Sequence, residues 1–220
     1  MFTIGLIDEE DLQLRTIRAT IKENTPTGKE SPNFKVYELL GTAATLTKSI
    51  VDQIINDIIM GAIASLIIDY KIMIDTAMVE GTDIYKIIIE TVPQFPLIIL
   101  TDVPDACYKK AFIDADKIYR KSEFFKVKTD YSREKVINIF RNAERYLEQR
   151  ESLTLIIDTL KEKLLSEGVT PEIFEELLST ESELSSFSPQ GLSELEKAFK
   201  AEQLQEVVKI LEQANKLIED

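Results

Sequence analysis

The segment Ala64-Ser-Leu-Ile-Ile-Asp-Tyr-Lys71 runs apolar residues straight into a single carboxylate, Asp69. A short, largely apolar run bounded by Gly61 and by polar residues reads as a strand buried on both faces, the kind found in the middle of a parallel sheet. In open α/β sheets, ligands and chemistry collect at the carboxyl ends of the strands, where Asp69 would sit. Alone, a strand-end aspartate reads as readily as a cap for the next segment. Its companions elsewhere in the chain decide between the two.

Those companions come at the ends of other apolar runs. Phe2 to Ile7 is a strand that ends in Asp8, Glu9 and Glu10, and Leu12, Leu14, Ile17 and Ile21 then recur at helical spacing up to Glu23. A loop with Pro26, Gly28 and Pro32 precedes Phe34 to Leu40, which alternates like an outer strand. Thr45 to Met60 carries an isoleucine-rich helical stripe that stops at Gly61. After Asp69, Tyr70 to Glu80 shows no clear period, Gly81 to Asp83 reads as a turn, and a helix is expected from Ile84 to Thr91. Leu97 to Leu100 is a further buried strand, ending in Thr101-Asp102. A helix over Pro104 to Ala115 and a weak fifth strand, Lys117 to Arg120, follow, and the strand stops at Lys121-Ser122.

From Tyr131 the strands vanish. Apolar residues at helical spacing predict one long helix over about 131–165, or two end to end, and Thr170-Pro-Glu-Ile opens another helix with a capping residue and a proline in its first turn. Amphipathic stretches are expected at 192–199 and 202–218. The expected organisation is a sheet domain over 1–127 and a helical extension over 128–220.

Composition removes several classes of function. The 220 residues include no histidine, so the usual general base, zinc ligand and phosphohistidine donor are all missing. One cysteine, Cys107, excludes an internal disulfide and any thiolate-cluster metal site, and with no histidine to activate it reads as a small packing residue. A net charge of -13 argues against nucleic-acid binding, which needs a cationic face. Residues 129–220 hold 20 acidic and 11 basic side chains, net -9, so the helical part is no basic recognition module. No apolar run is long enough to cross a bilayer, and the start of the chain lacks a secretory pattern, so a cytoplasmic location is expected.

Read together, the strand ends give Asp8-Glu9, Asp69, Thr101 and Lys121. Clustered carboxylates repel one another unless a hard divalent cation sits among them, and Mg²⁺ takes one or two carboxylates plus waters and phosphate oxygens. A central aspartate is then suited to attack a phosphoryl donor, with a lysine and a hydroxyl nearby for the charge that develops.

On these residues the chain, over 1 to about 127, resembles the receiver domain of two-component response regulators, a flavodoxin-like α/β fold with a five-stranded parallel sheet. The resemblance implies that Asp69 is the phosphoacceptor, that Asp8 and Glu9 hold Mg²⁺ with it, and that the backbone carbonyl of Lys71 completes the protein ligands. It also implies that Thr101 is the switch hydroxyl and Lys121 the lysine that pairs with the phosphoryl group. A histidine kinase or another phosphoryl donor would be the partner on one side. On the other, the 131–220 helices would bind protein, as a homodimer or with a different chain.

The sequence departs from the family pattern in several places. Glu9 stands for the commoner aspartate, Asp102 for a small residue beside the phosphorylation pocket, and Ser122 for the proline after the lysine. The segment between Asp69 and Gly81 is longer than usual, and the aromatic switch position falls to Tyr119 only with a one-residue shift, with Ile118 competing for it. Two alternatives therefore stand beside the phosphorylated regulator: a receiver-like structural subunit of a larger assembly, such as a bacterial defence system, and a phosphate sink.

Overall fold

In the computed structural model the described residues are 1–39, 43–74, 77–167 and 170–189. The chain divides into two compact units, Met1–Leu147 and Glu148–Asp220.

The first unit is built on five parallel strands: β1 (Thr3–Ile7), β2 (Asn33–Val36), β3 (Ser65–Asp69), β6 (Leu97–Thr101) and β7 (Ile118–Arg120). Their order is β2-β1-β3-β6-β7, the flavodoxin-like arrangement, with the switch point of the sheet between β1 and β3. All five residues of β3 and of β6 are buried, which is why both read as unbroken apolar runs rather than as alternating ones. Register brings the polar strand ends level: Ile7 pairs with Ile68, Asp69 with Leu100, and Thr101 with Arg120. Asp8, Asp69, Thr101 and Lys121 thus emerge along one edge of the sheet.

Helix α1 (Asp11–Glu23) lays Leu14, Ile17 and Ile21 on the face formed by Leu6, Ile67 and Ile98, and the start of the long helix α6 (Asp130–Glu167) adds Val136, Ile139 and Phe140 to the same core. Leu66 and Ile68, which alternate with Ile67, point to the other face, where α3 (Gly81–Thr91) contacts β3, β6 and α2 (Ala43–Ile59). The sheet unit therefore extends past the boundary expected near residue 127. After the last strand, the first half of α6 packs its apolar side chains into the core, while the intervening α5 (Lys121–Phe124) is a single turn of 4 residues.

Two further expectations are corrected. Tyr70 to Glu80, which showed no period, is an antiparallel ribbon of β4 (Lys71–Ile74) and β5 (Ala77–Glu80), and α3 begins at Gly81 rather than Ile84. Ile72 and Val79 pair on the buried side of the ribbon and Met73 and Met78 on the exposed side. The expected helix from Pro104 to Ala115 stops after 5 residues, at Tyr108; α4 (Pro104–Tyr108) is followed by turns and a short 3₁₀ segment, Ala115–Lys117.

In the second unit, the 148–167 part of α6 and helix α7 (Pro171–Ser185) bury Ile157, Leu160 and Leu177 against Leu164, Ile173 and Leu184. Thr170 caps α7 as its sequence suggests, its side-chain oxygen accepting the Ile173 N–H at 3.3 Å. The expected helices at 192–199 and 202–218 lie outside the described residues. No helix among those described is long and apolar enough to cross a membrane.

Candidate metal and phosphoryl site

Asp8 leaves β1 at the point where the chain turns into α1. Its Oδ1 accepts the Glu10 N–H at 2.9 Å, satisfying one of the free amides at the start of the helix and fixing the carboxylate's orientation. Glu9 follows it, and Asp69 closes β3. Each of the three offers one oxygen, and these oxygens all lie within 4.8 Å of one another. Glu9 Oε2 is buried with no hydrogen-bond partner. An oxygen-only set of three carboxylates with one orphaned acceptor is donor chemistry that could hold a hard divalent cation and is compatible with Mg²⁺.

Lys121 reaches into this set from the start of α5. Its Nζ stands 3.0 Å from Asp8 Oδ2 and 2.9 Å from Asp69 Oδ1, and all three side chains are at least nine-tenths buried. Burial pushes the Asp69 carboxyl up to about 6; Asp8 and Glu9 add to the rise and the Lys121 ammonium opposes it. For Lys121 itself burial acts downward, but the two carboxylates outweigh it and leave the ammonium above its ordinary value. The lysine stays charged in the interior because it has two anions to pair with.

Thr101 closes β6 beside Asp69. It is buried, and its Oγ1 accepts the Val103 N–H at 3.0 Å, so its hydroxyl proton is free to be donated elsewhere. Asp102, which stands where the family has a small residue, accepts the Ser122 N–H at 2.8 Å and so ties the end of β6 to the residue after Lys121. Lys71 opens the ribbon strand β4 opposite Glu80, two residues beyond Asp69. Tyr119 is buried in the sheet core against Phe124, and Cys107 is buried with its thiol pushed up to about 11 by burial first and then by Glu80. A thiol held that high is no nucleophile at neutral pH.

No protein-family model matches the chain, and no curated protein matches its sequence. What the site can do follows from its own geometry: Asp8, Glu9, Asp69 and Lys121 converge, and Thr101 stands at the neighbouring strand end.

One residue of the site escaped the sequence. A Cβ placed on Gly81 would fall 2.0 Å from the backbone oxygen of Asp69 and 2.7 Å from Ile68 Cγ2, so the chain that returns from the ribbon lies directly on the strand end that carries Asp69. Only glycine fits there. The sequence shows a glycine before a helix, which reads as a turn, and gives no sign of what it presses against.

Proposed function

We propose that this protein is a receiver-like signalling module in which Asp69 accepts a phosphoryl group with the help of Mg²⁺. The observation that carries the reading is the convergence of Asp8, Glu9 and Asp69 on a common point, with Lys121 bridging two of them. The carboxylates of Asp8, Glu9 and Asp69 would hold the cation, with the Lys71 carbonyl as the further ligand that the family resemblance implies. Bound there, Mg²⁺ would offset the negative charge of the incoming phosphoryl oxygens.

The chain's own groups have separable parts. An ionised Asp69 oxygen attacks phosphorus, and the bond from phosphorus to the donor breaks with its electron pair leaving on the donor. Lys121, already drawn to Asp69, pairs with the transferred oxygens, and the Thr101 hydroxyl is placed to donate to one of them. With burial holding the Asp69 carboxyl at about 6, the nucleophilic form prevails at neutral pH. Output would pass through protein contacts of the helices beyond residue 131.

The test is beryllofluoride, a phosphoryl mimic, with Mg²⁺ added to the full chain and to Asp69→Asn. Saturable, Mg²⁺-dependent binding by the wild type alone supports the reading; equal behaviour of the two proteins rejects it.

The ribbon inserted directly after Asp69 favours a second reading, a receiver-like subunit that has kept the fold as an assembly platform. It predicts no Mg²⁺-dependent binding of the mimic.

A further inference from the structure

A second polar cluster lies directly behind Asp69, and the chemistry above does not use it. The phenol of Tyr70, the residue after the acceptor, is buried and faces the Glu80 carboxylate. Glu80 Oε2 also accepts from Lys110 Nζ at 2.8 Å and from Thr82 Oγ1 at 3.2 Å. The four residues come from four places: the strand end, the last position of the ribbon, the first turn of α3, and the turn after α4. On the backbone side, the Gly81 N–H donates to the Tyr70 carbonyl at 2.8 Å. Gly81 therefore holds Tyr70 through the main chain, and Glu80 beside it faces the Tyr70 phenol.

We propose that Glu80 is a positioning residue for Asp69, tying the acceptor's strand end, through Tyr70 and Lys110, to the turn that follows α4. The proposal rests on Asp69 being a phosphoryl acceptor. Glu80 and Lys110 are about one-third exposed, at 30% and 34%, so their pairing contributes little to overall stability. Its effect lies in the difference between states. A phosphoryl group on Asp69 adds bulk and charge at a strand end whose next residue is held by Glu80, and the partner of Glu80 sits on the segment that Thr101 leads into. A tether joining two segments that must both accommodate the new group changes the affinity for that group more than it changes the folded state.

The experiment compares beryllofluoride binding at saturating Mg²⁺, by calorimetry on the full chain, in wild type, Glu80→Gln, Lys110→Met and Lys110→Arg, with thermal melting of each. Glu80→Gln and Lys110→Met should weaken binding by about fivefold or more while melting as the wild type does, and Lys110→Arg should restore it. Unchanged binding in Glu80→Gln and Lys110→Met overturns the proposal. So does a loss of binding that tracks a loss of thermal stability and is not restored by arginine, which is what a merely structural pair would give. Asp69→Asn is the separate arm: if it binds the mimic as the wild type does, the acceptor role falls, and this proposal with it.

Discussion

Lys121 Nζ stands 2.9 Å from Asp69 Oδ1 and 3.0 Å from Asp8 Oδ2, so one ammonium holds together the two strand ends on either side of the switch point of the sheet. Removing the one cation of this buried ionic set is costly, because its carboxylates are left without compensation. Lys121→Met leaves Asp8 and Asp69 facing each other. At pH 7.5 we expect a loss of about 2–4 kcal/mol in urea unfolding. At pH 5, where a proton on Asp69 takes the place of the lost ammonium, the difference should shrink to below about 1 kcal/mol.

Asp69 itself should cost the fold stability at neutral pH. Its carboxyl is pushed from 3.8 up to about 6, chiefly by burial, so between these values the folded protein holds a proton that the unfolded chain has released. Stability from this group is therefore full below about pH 4 and is lost as pH rises through about 6. Asp69→Asn removes that loss. The variant should match the wild type at pH 4 and exceed it by up to about 3 kcal/mol at pH 7.5, measured by urea unfolding at both values.

Gly81→Ala and Gly28→Ala separate crowding from backbone strain. At Gly28 the backbone sits at φ +82° with nothing within 4 Å of an added Cβ, so alanine should cost only about 1 kcal/mol. At Gly81 the added carbon would meet the Asp69 backbone oxygen at 2.0 Å, and the strand end must shift to admit it. We expect a loss of at least about 2 kcal/mol and weaker Mg²⁺ binding by Gly81→Ala, with Mg²⁺ binding unchanged in Gly28→Ala. Chemical unfolding and Mg²⁺ titration of both variants check this.

The sheet unit should need the first half of α6. A chain cut after Val127 loses Val136, Ile139 and Phe140 from the core and Tyr146 from its edge-to-face contact with Phe95. Each large core side chain is worth roughly 2–5 kcal/mol, against a total stability of about 5–15 kcal/mol for an ordinary domain. Residues 1–127 should therefore lack a cooperative melt, and residues 1–147 should show one by circular dichroism.

The parts of this structure most legible in the sequence are those where burial is complete. β3 and β6 announce themselves because a strand covered on both faces runs apolar up to its end, from Leu66 in β3 and Leu97 in β6, and that ending places Asp69 and Thr101 at once. Asp8 and Lys121 follow from the same logic on the neighbouring strands. The ribbon hid because each of its strands has only 4 residues, too few for Ile72 and Val79 to establish a period. The seam between the units hid for the opposite reason. Helix α6 keeps one unbroken helical pattern across Leu147, and periodicity reports a helix without reporting what it packs on. Contacts that depend on backbone meeting backbone, as at Gly81 and Asp69, leave no trace in side-chain chemistry.

The ribbon's two ends already touch through the Gly81 N–H and the Tyr70 carbonyl, so the chain between them closes a loop whose anchor points are fixed independently of its length. Doubling such a loop costs only about 0.6 kcal/mol of closure entropy. The ribbon is therefore a natural splice point. Sequences of other lengths could be exchanged at positions 73–78 as a cassette, leaving Lys71, Glu80 and the buried pair Ile72 and Val79 in place.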